Sequence, residues 1–311
     1  MKLHALIVST PDDLHSQVVT QEIERLGGGV VILDSAEFPE KLSIEYSNEK
    51  QSYLTIRSGE DKELVIDRNC GIWWRRPRGH DLSGVLAHPK LQSFAVDEAR
   101  QAFLGSLSAH CPRFVNPLGA SRQASVKLYH LELARSLGFR VPQTLVTNNP
   151  NAAAEFVREQ VSGCVYKPFT GTDFGFFETR SFSSDQDVTE LWRIQHCPML
   201  IQEHVRGRVD VRVTVVGDQI FSASFDLTKS RHGIDGRVER LPAARYEIEE
   251  RVSSQILRFV RELGLQYGAL DFRLSDSGEL VFFEINPEGQ YLWVEIDTGQ
   301  EISRAMAELL V

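Results

Sequence analysis

Asp271-Phe-Arg-Leu274, a turn through Ser277-Gly278, and Val281-Phe-Phe-Glu284-Ile-Asn286-Pro287 make up the stretch on which the fold turns. Alternating runs flank a Ser-Gly pair suited to a tight turn, so the segment is predicted to be a β-hairpin. A two-residue loop pairs Asp276 with Glu279 and hence Asp271 directly with Glu284, whereas a four-residue loop makes the carboxylates diagonal neighbours. In either register, alternation assigns Leu270, Phe272, Leu274, Val281, Phe283 and Ile285 to one core-facing side. The opposite side carries Asp271, Arg273, Phe282, Glu284 and Asn286. Carboxylates opposed across a strand pair repel unless a cation lies between them. Two carboxylates and an amide oxygen suit magnesium, which completes its shell with water and phosphate oxygens. A solvated strand face is the plain alternative.

The 311 residues are long for one core and suit two or three packed lobes. A formal net charge of −9 argues against a general nucleic-acid binder, whose footprint is basic. Cys70, Cys111, Cys164 and Cys197 show neither metal-ligand nor redox spacing and are expected to be thiols in a reducing compartment. The opening Leu3-His-Ala-Leu-Ile-Val8 is too short for a signal peptide, and no apolar run reaches spanning length. A cytoplasmic protein with no membrane and no nucleic-acid partner is expected.

Leu3 to Val8, a helix to Leu26, and Val30 to Leu33 read as a βαβ opening without a dinucleotide-binding glycine fingerprint. Tyr46 to Ile66 reads as a hairpin broken at Ser58-Gly59, and Pro89 to Ala109 as a helix. Phe114-Val-Asn116-Pro117 marks a boundary. Beyond it, helices are predicted over Lys127 to Leu137 and Ile248 to Leu263, and from Glu301 onward. Strands are predicted over Val165 to Phe169, Met199 to Val205, Val209 to Val216 and Gln219 to Phe225. Thr170 to Gly175 reads as a glycine-containing loop. Trp73-Trp74-Arg75-Arg76 alternates as a strand, read as core with two surface arginines or as a peptide contact.

Lys127, Lys167 before the glycine loop, Gln202-Glu203-His204-Val205, Asp210-Val-Arg212, Asp271 and Glu284-Ile-Asn286 occur in an order that resembles the ATP-grasp superfamily. The resemblance runs from Asn116 to the end. It implies an α/β pre-ATP-grasp domain (1–115) followed by two α+β lobes (116–200 and 201–311) that grip ATP. Glu284-Ile-Asn-Pro-Glu-Gly-Gln-Tyr-Leu-Trp293, Asp297-Thr298-Gly299 and Trp73-Trp-Arg-Arg-Pro77 are similar to the graspetide, or microviridin-type, ligases. These close ω-esters or ω-amides between acidic side chains and Ser, Thr or Lys of a ribosomal precursor peptide. The resemblance thus implies ATP and Mg2+ as cofactors, a leader-plus-acidic-core peptide as partner, and a homodimer.

The same resemblance assigns roles. Asp271, Glu284 and Asn286 would hold the metal; Lys127 and Lys167 would contact phosphates; Gln202, Glu203, His204 and Val205 would read adenine; Asp210 would bind ribose, with Arg208 as its rival. Arg212 would face phosphate or the acyl intermediate. Lys229, Asp235 and Arg237 fall in a polar connection where the branch carries Asp-Trp-Arg; this chain has Asp235-Gly236-Arg237, and a solvated loop is the alternative. Lys127 equally suits a solvated helix, and Arg212 the polar face of its strand. Two other functions stay open, an amino-acid ligase of the glutamate-adding type and a non-catalytic nucleotide-binding regulator. No hydrolase triad is indicated.

Overall fold

The computed structural model describes residues 2–49, 52–59, 62–169, 179–182, 190–230 and 240–311. β1 (Leu3–Val8) lies between β2 (Gly29–Leu33) and β6 (Gly71–Trp74), with β7 (Phe114–Val115) beyond, in a parallel sheet of order β2-β1-β6-β7. α1 (Leu14–Arg25) starts where Asp13 caps it, its carboxylate accepting from Ser16 N at 3.0 Å. β3 (Leu42–Ser47), β4 (Tyr53–Ser58) and β5 (Lys62–Ile66) form an antiparallel meander, one strand more than the predicted hairpin. α2 (Pro89–His110) begins on a proline and buries Ala99, Phe103 and Leu107.

α3 (Leu118–Ala124) and α4 (Lys127–Ser136) lead to a second sheet built from β8 (Thr144–Thr147), β9 (Cys164–Lys167), β10 (Arg180–Ser181) and β11 (Met199–Glu203), with α5 (Pro150–Glu159) beside it. The third sheet is antiparallel, of order β14-β13-β12-β15-β16, from β12 (Val209–Val216), β13 (Gln219–Asp226), β14 (Ala243–Arg245), β15 (Tyr267–Leu274) and β16 (Leu280–Asn286). α6 (Glu250–Glu262) lays Ile256, Phe259 and Val260 on one face of it, against Phe139, Phe272 and Phe282. α7 (Leu292–Thr298) and α8 (Ile302–Leu310) close the chain. No described helix is long and apolar enough to cross a membrane.

One core cluster joins the two ends of the sequence. Ile7, Val19, Ile23 and Trp73 pack with Val216, Tyr267, Tyr291, Val294 and Met306. Asn116, 4 % exposed, clasps the same region: its amide donates to Tyr267 O (2.8 Å) and Pro287 O (2.9 Å) and accepts from Gln266 N and Tyr267 N (both 2.8 Å). All its polar capacity is used on backbone.

Candidate active site

Leu274 pairs with Leu280, so the hairpin loop spans 275–279 instead of Ser277-Gly278 alone. Ser275 N donates to Glu279 O at 2.9 Å and Gly278 N to Ser275 O at 2.8 Å. A regular ladder from that register would oppose Asp271 and Phe283. A bulge intervenes instead: Phe272 pairs with Phe282 and Asp271 with Glu284, leaving Phe283 as the extra residue. The carboxylates are direct neighbours, as expected, through a longer loop and a compensating bulge. The bulge also corrects the predicted faces. Phe282 is fully buried with Phe259 and Phe272, while Phe283 turns toward a cavity.

That cavity has a volume of about 660 Å³. It gathers Lys167, Gln202, Glu203, His204, Val205, Asp210, Arg212, Asp271, Glu284 and Asn286 from the predicted residues. Arg212 opposes Asp271 across β12 and β15, and its Nη1 donates to Asp271 Oδ1 at 2.6 Å. Its Nη2 donates to Gln290 O at 3.2 Å, while its Nε is buried with no hydrogen-bond partner among the described residues. Burial works against the Arg212 charge, but Asp271 more than offsets it, and the guanidinium pKa lies above its ordinary value. Lys127 Nζ donates to Pro168 O at 3.1 Å and stands 3.7 Å from Glu284 Oε2. Lys167 Nζ lies 6.0 Å from the Phe283 ring centroid. Each carboxylate of the pair thus has its own cation, and Asn286 Oδ1 accepts from Glu288 N at 2.8 Å. No cluster of three His, Cys, Asp or Glu suited to a metal occurs among the described residues, so a cation here would draw on the Asn286 amide as third donor. Carboxylate and amide oxygens beside a buried, under-satisfied guanidinium suit magnesium carried on a phosphate chain.

Several predicted ligand contacts are already engaged within the protein. The Gln202 amide is buried and donates to Thr144 Oγ1 at 2.9 Å, a link from β11 to β8. Glu203 pairs with Arg140. Glu203 N and His204 N donate to Gln143 O (3.0 Å) and Gly163 O (2.8 Å), so these N–H groups serve the fold. Burial pushes the His204 imidazole pKa down. Asp210 receives both Nε and Nη2 of Arg273, at 2.7 and 3.1 Å, and Arg273 Nη1 reaches Val205 O at 3.3 Å. Arg273 therefore braces the 202–210 connection, a role visible in sequence only as a charge in an apolar strand. Lys229 does not line the cavity; it is exposed, 3.9 Å from Asp226. Asp235 and Arg237, and the 170–178 loop, lie outside the described residues.

Arg240 and Phe225, which carry no signal in the sequence, also line the cavity, as does Phe283, which alternation assigned to the core. Arg240 donates to Asp297 Oδ1 at 2.9 Å, and Phe225 packs on Trp293 with ring centroids 4.8 Å apart. Arg75, expected at the surface, is 1 % exposed. Its Nη1 donates to Glu288 O at 2.7 Å and its Nε stands 3.6 Å from Asp13, partners that only tertiary structure supplies.

Residues 4–122 match the family described as the MvdD pre-ATP grasp domain. The macrocyclase MdnC from Microcystis aeruginosa, solved bound to its precursor peptide MdnA, superposes with a TM-score of 0.86 at 27% identity, covering 99% of this chain and 98% of that one. The ATP-grasp ligase PsnB, complexed with a minimal precursor, Mg and ADP, gives a TM-score of 0.81 at 25% identity over 100% and 97% of the two chains. A probable alpha-L-glutamate ligase of Desulfotalea psychrophila is 25% identical over 200 residues, 60% of this chain. The match spans only 41% of that relative's length.

Proposed function

The chain belongs to the graspetide branch of the ATP-grasp superfamily, and from that premise we propose that it is an ATP- and magnesium-dependent ligase that crosslinks a ribosomally made precursor peptide. The observation that carries this reading is the pair Asp271 and Glu284, each next to its own cation, at the wall of a cavity large enough for a nucleotide. Asp271, Glu284 and Asn286 would hold magnesium. ATP would supply the phosphoryl group that activates a substrate carboxylate as an acylphosphate; a hydroxyl or amine of the peptide would then attack the acyl carbon and expel inorganic phosphate, leaving an ω-ester or ω-amide.

The protein's own contribution is placement and charge. Arg212 keeps a fixed positive charge beside Asp271, and its buried Nε is a donor that a ligand oxygen can satisfy. Lys127 and Lys167 add positive charge on the Glu284 and Phe283 side. Arg240, with Trp293 and Phe225, lines another stretch of the cavity wall, where an acidic peptide segment finds a guanidinium and apolar contact. Lys229, Asp235 and Arg237 remain candidates for the peptide side. The partner is a precursor peptide with leader and acidic core, the site of action is the cytoplasm, and the working unit is a homodimer.

The test is intact-mass spectrometry of the short peptides encoded beside the gene, incubated with purified protein, ATP and magnesium. ATP-dependent loss of whole water masses is expected. Gain of amino-acid residue masses when free amino acids are added would replace this reading with the glutamate-adding one. ADP binding with no mass change in any peptide would favour the non-catalytic regulator.

A further inference from the structure

The backbone of the turn that follows β16 is held by five side chains among the described residues. Pro287 O accepts from Asn116 (2.9 Å), Glu288 O from Arg75 (2.7 Å), Gly289 O from the Tyr267 hydroxyl, and Gln290 O from Arg212 (3.2 Å). Tyr291 N and Leu292 N both donate to His15 Nε2, at 3.1 and 3.2 Å. Two of these holders, His15 on α1 and Arg75 just beyond β6, come from the N-terminal parallel sheet and its helix, far from the carboxylates in sequence. Both are buried, and Arg75 Nε and Nη2 make no hydrogen bond among the described residues, the Asp13 carboxylate standing off at 3.6 Å from Nε. A buried guanidinium only partly satisfied is costly, and a protein that needed only packing here would be better served by an apolar side chain.

Two connections carry the turn's position into the site. Glu288 N donates to Asn286 Oδ1, so the turn orients the amide oxygen proposed as a metal ligand. Gln290 O anchors Arg212 Nη2, whose Nη1 in turn holds Asp271. The packing leaves no slack: a Cβ added at Gly289 would meet Ala269 Cβ at 2.4 Å and Arg212 Nη2 at 2.9 Å. We propose that His15 and Arg75 are positioning residues, by which the N-terminal unit fixes the 287–292 turn and so sets the geometry of Asn286 and Asp271 toward magnesium. The inference rests on the nucleotide and metal reading above.

The test compares His15→Leu, which removes the acceptor, with His15→Gln, whose amide oxygen reaches a similar place, and adds Arg75→Met as an independent second variant. ADP binding to the full chain is measured by calorimetry in EDTA and across a magnesium titration, with circular dichroism checking the fold. His15→Leu and Arg75→Met are expected to bind ADP in EDTA as the unsubstituted protein does. Each should need about tenfold more magnesium to reach the tight complex, the scale usual for groups that orient metal ligands. His15→Gln should restore the original requirement, a rescue that a merely structural role would not produce. An unchanged magnesium requirement in a folded His15→Leu or Arg75→Met overturns the inference alone. Absence of magnesium-dependent ADP binding in the unsubstituted protein overturns the underlying reading as well.

Discussion

Arg212 reaches Asp271 with one nitrogen and Gln290 O with another, a forked geometry that a lysine cannot reproduce. Arg212→Lys keeps the charge and loses the bridge. Peptide crosslinking measured by mass spectrometry should fall by about 10² to 10³, as for loss of one preorganised donor, while circular dichroism stays unchanged. Near-normal turnover would remove Arg212 from the site. Glu284→Gln should abolish crosslinking while shifting stability by no more than about 1 kcal/mol, because Glu284 and its partner Lys127 both keep partial contact with solvent. Alternation puts Asp271 and Glu284 on one side of their hairpin and Arg212 on the polar face of its strand, and the family resemblance adds the role of Arg212. His15 and Arg75 offered no such periodic signal, because their partners on the 287–292 turn are brought to them only by tertiary structure. Burial, with the Arg75 charge adding to it against the pull of Asp13, pushes the His15 imidazole down to about 4. Arg76 acts in the same direction. The folded chain therefore keeps His15 neutral where the unfolded chain, titrating near 6.5, binds a proton. Stability tied to His15 is complete above pH 6.5 and drains away as pH falls toward 4, by up to about 1.4 kcal/mol per pH unit. In urea unfolding, the advantage of the unsubstituted protein over His15→Gln should shrink from pH 7 to pH 5. A pH-independent difference would contradict the buried neutral imidazole.

At the scale of the element, the β15–β16 hairpin shows how one extra residue reassigns a face. The bulge at Phe283 leaves Phe282 in the core and presents both Phe283 and Glu284 to the cavity, where strict alternation would bury one of them. The Phe283 ring lies 6.0 Å from Lys167 Nζ and 5.5 Å from Arg273 Cζ, bridging the second and third sheets at the cavity. Phe283→Ala should weaken ADP binding about three- to tenfold, the reach of one or two partly exposed cation–π contacts, with little change in melting temperature. A large drop in melting temperature would instead show Phe283 to be core, as alternation first implied. Two successive phenylalanines before Glu284 hide the bulge in the sequence, because either can fill the core position. The sequence carries Leu292–Thr298 as a motif and not as a helix; α7 forms with Val294 buried in the cluster that also holds Tyr291, Ile302 and Met306.

Across the whole molecule, stability is distributed unevenly, and the nucleotide reading makes that unevenness testable. The parallel sheet and the third sheet share a cluster running from Ile7 and Trp73 to Tyr291 and Leu310, with Asn116 clasping backbone between them. Among the described residues, the second sheet has only a small cluster of its own, centred on Ala153, Cys164, Leu191, Ile194 and Ile201. Its side-chain ties to the rest include the Arg140–Glu203 pair and the Lys127 bond to Pro168 O. A body with so few buried apolar partners opens at lower free energy than its neighbours. Native-state hydrogen exchange should therefore find β8, β9 and β11 exchanging ahead of β12 and β15. Adding ADP with magnesium should slow β9 and β11 selectively, since Lys167 and 202–205 line the cavity. Slowing confined to the parallel sheet would place the nucleotide elsewhere. Equal protection of all three sheets before ligand is added would mean that the second sheet draws its stability from the common core, against the division of clusters seen in the fold.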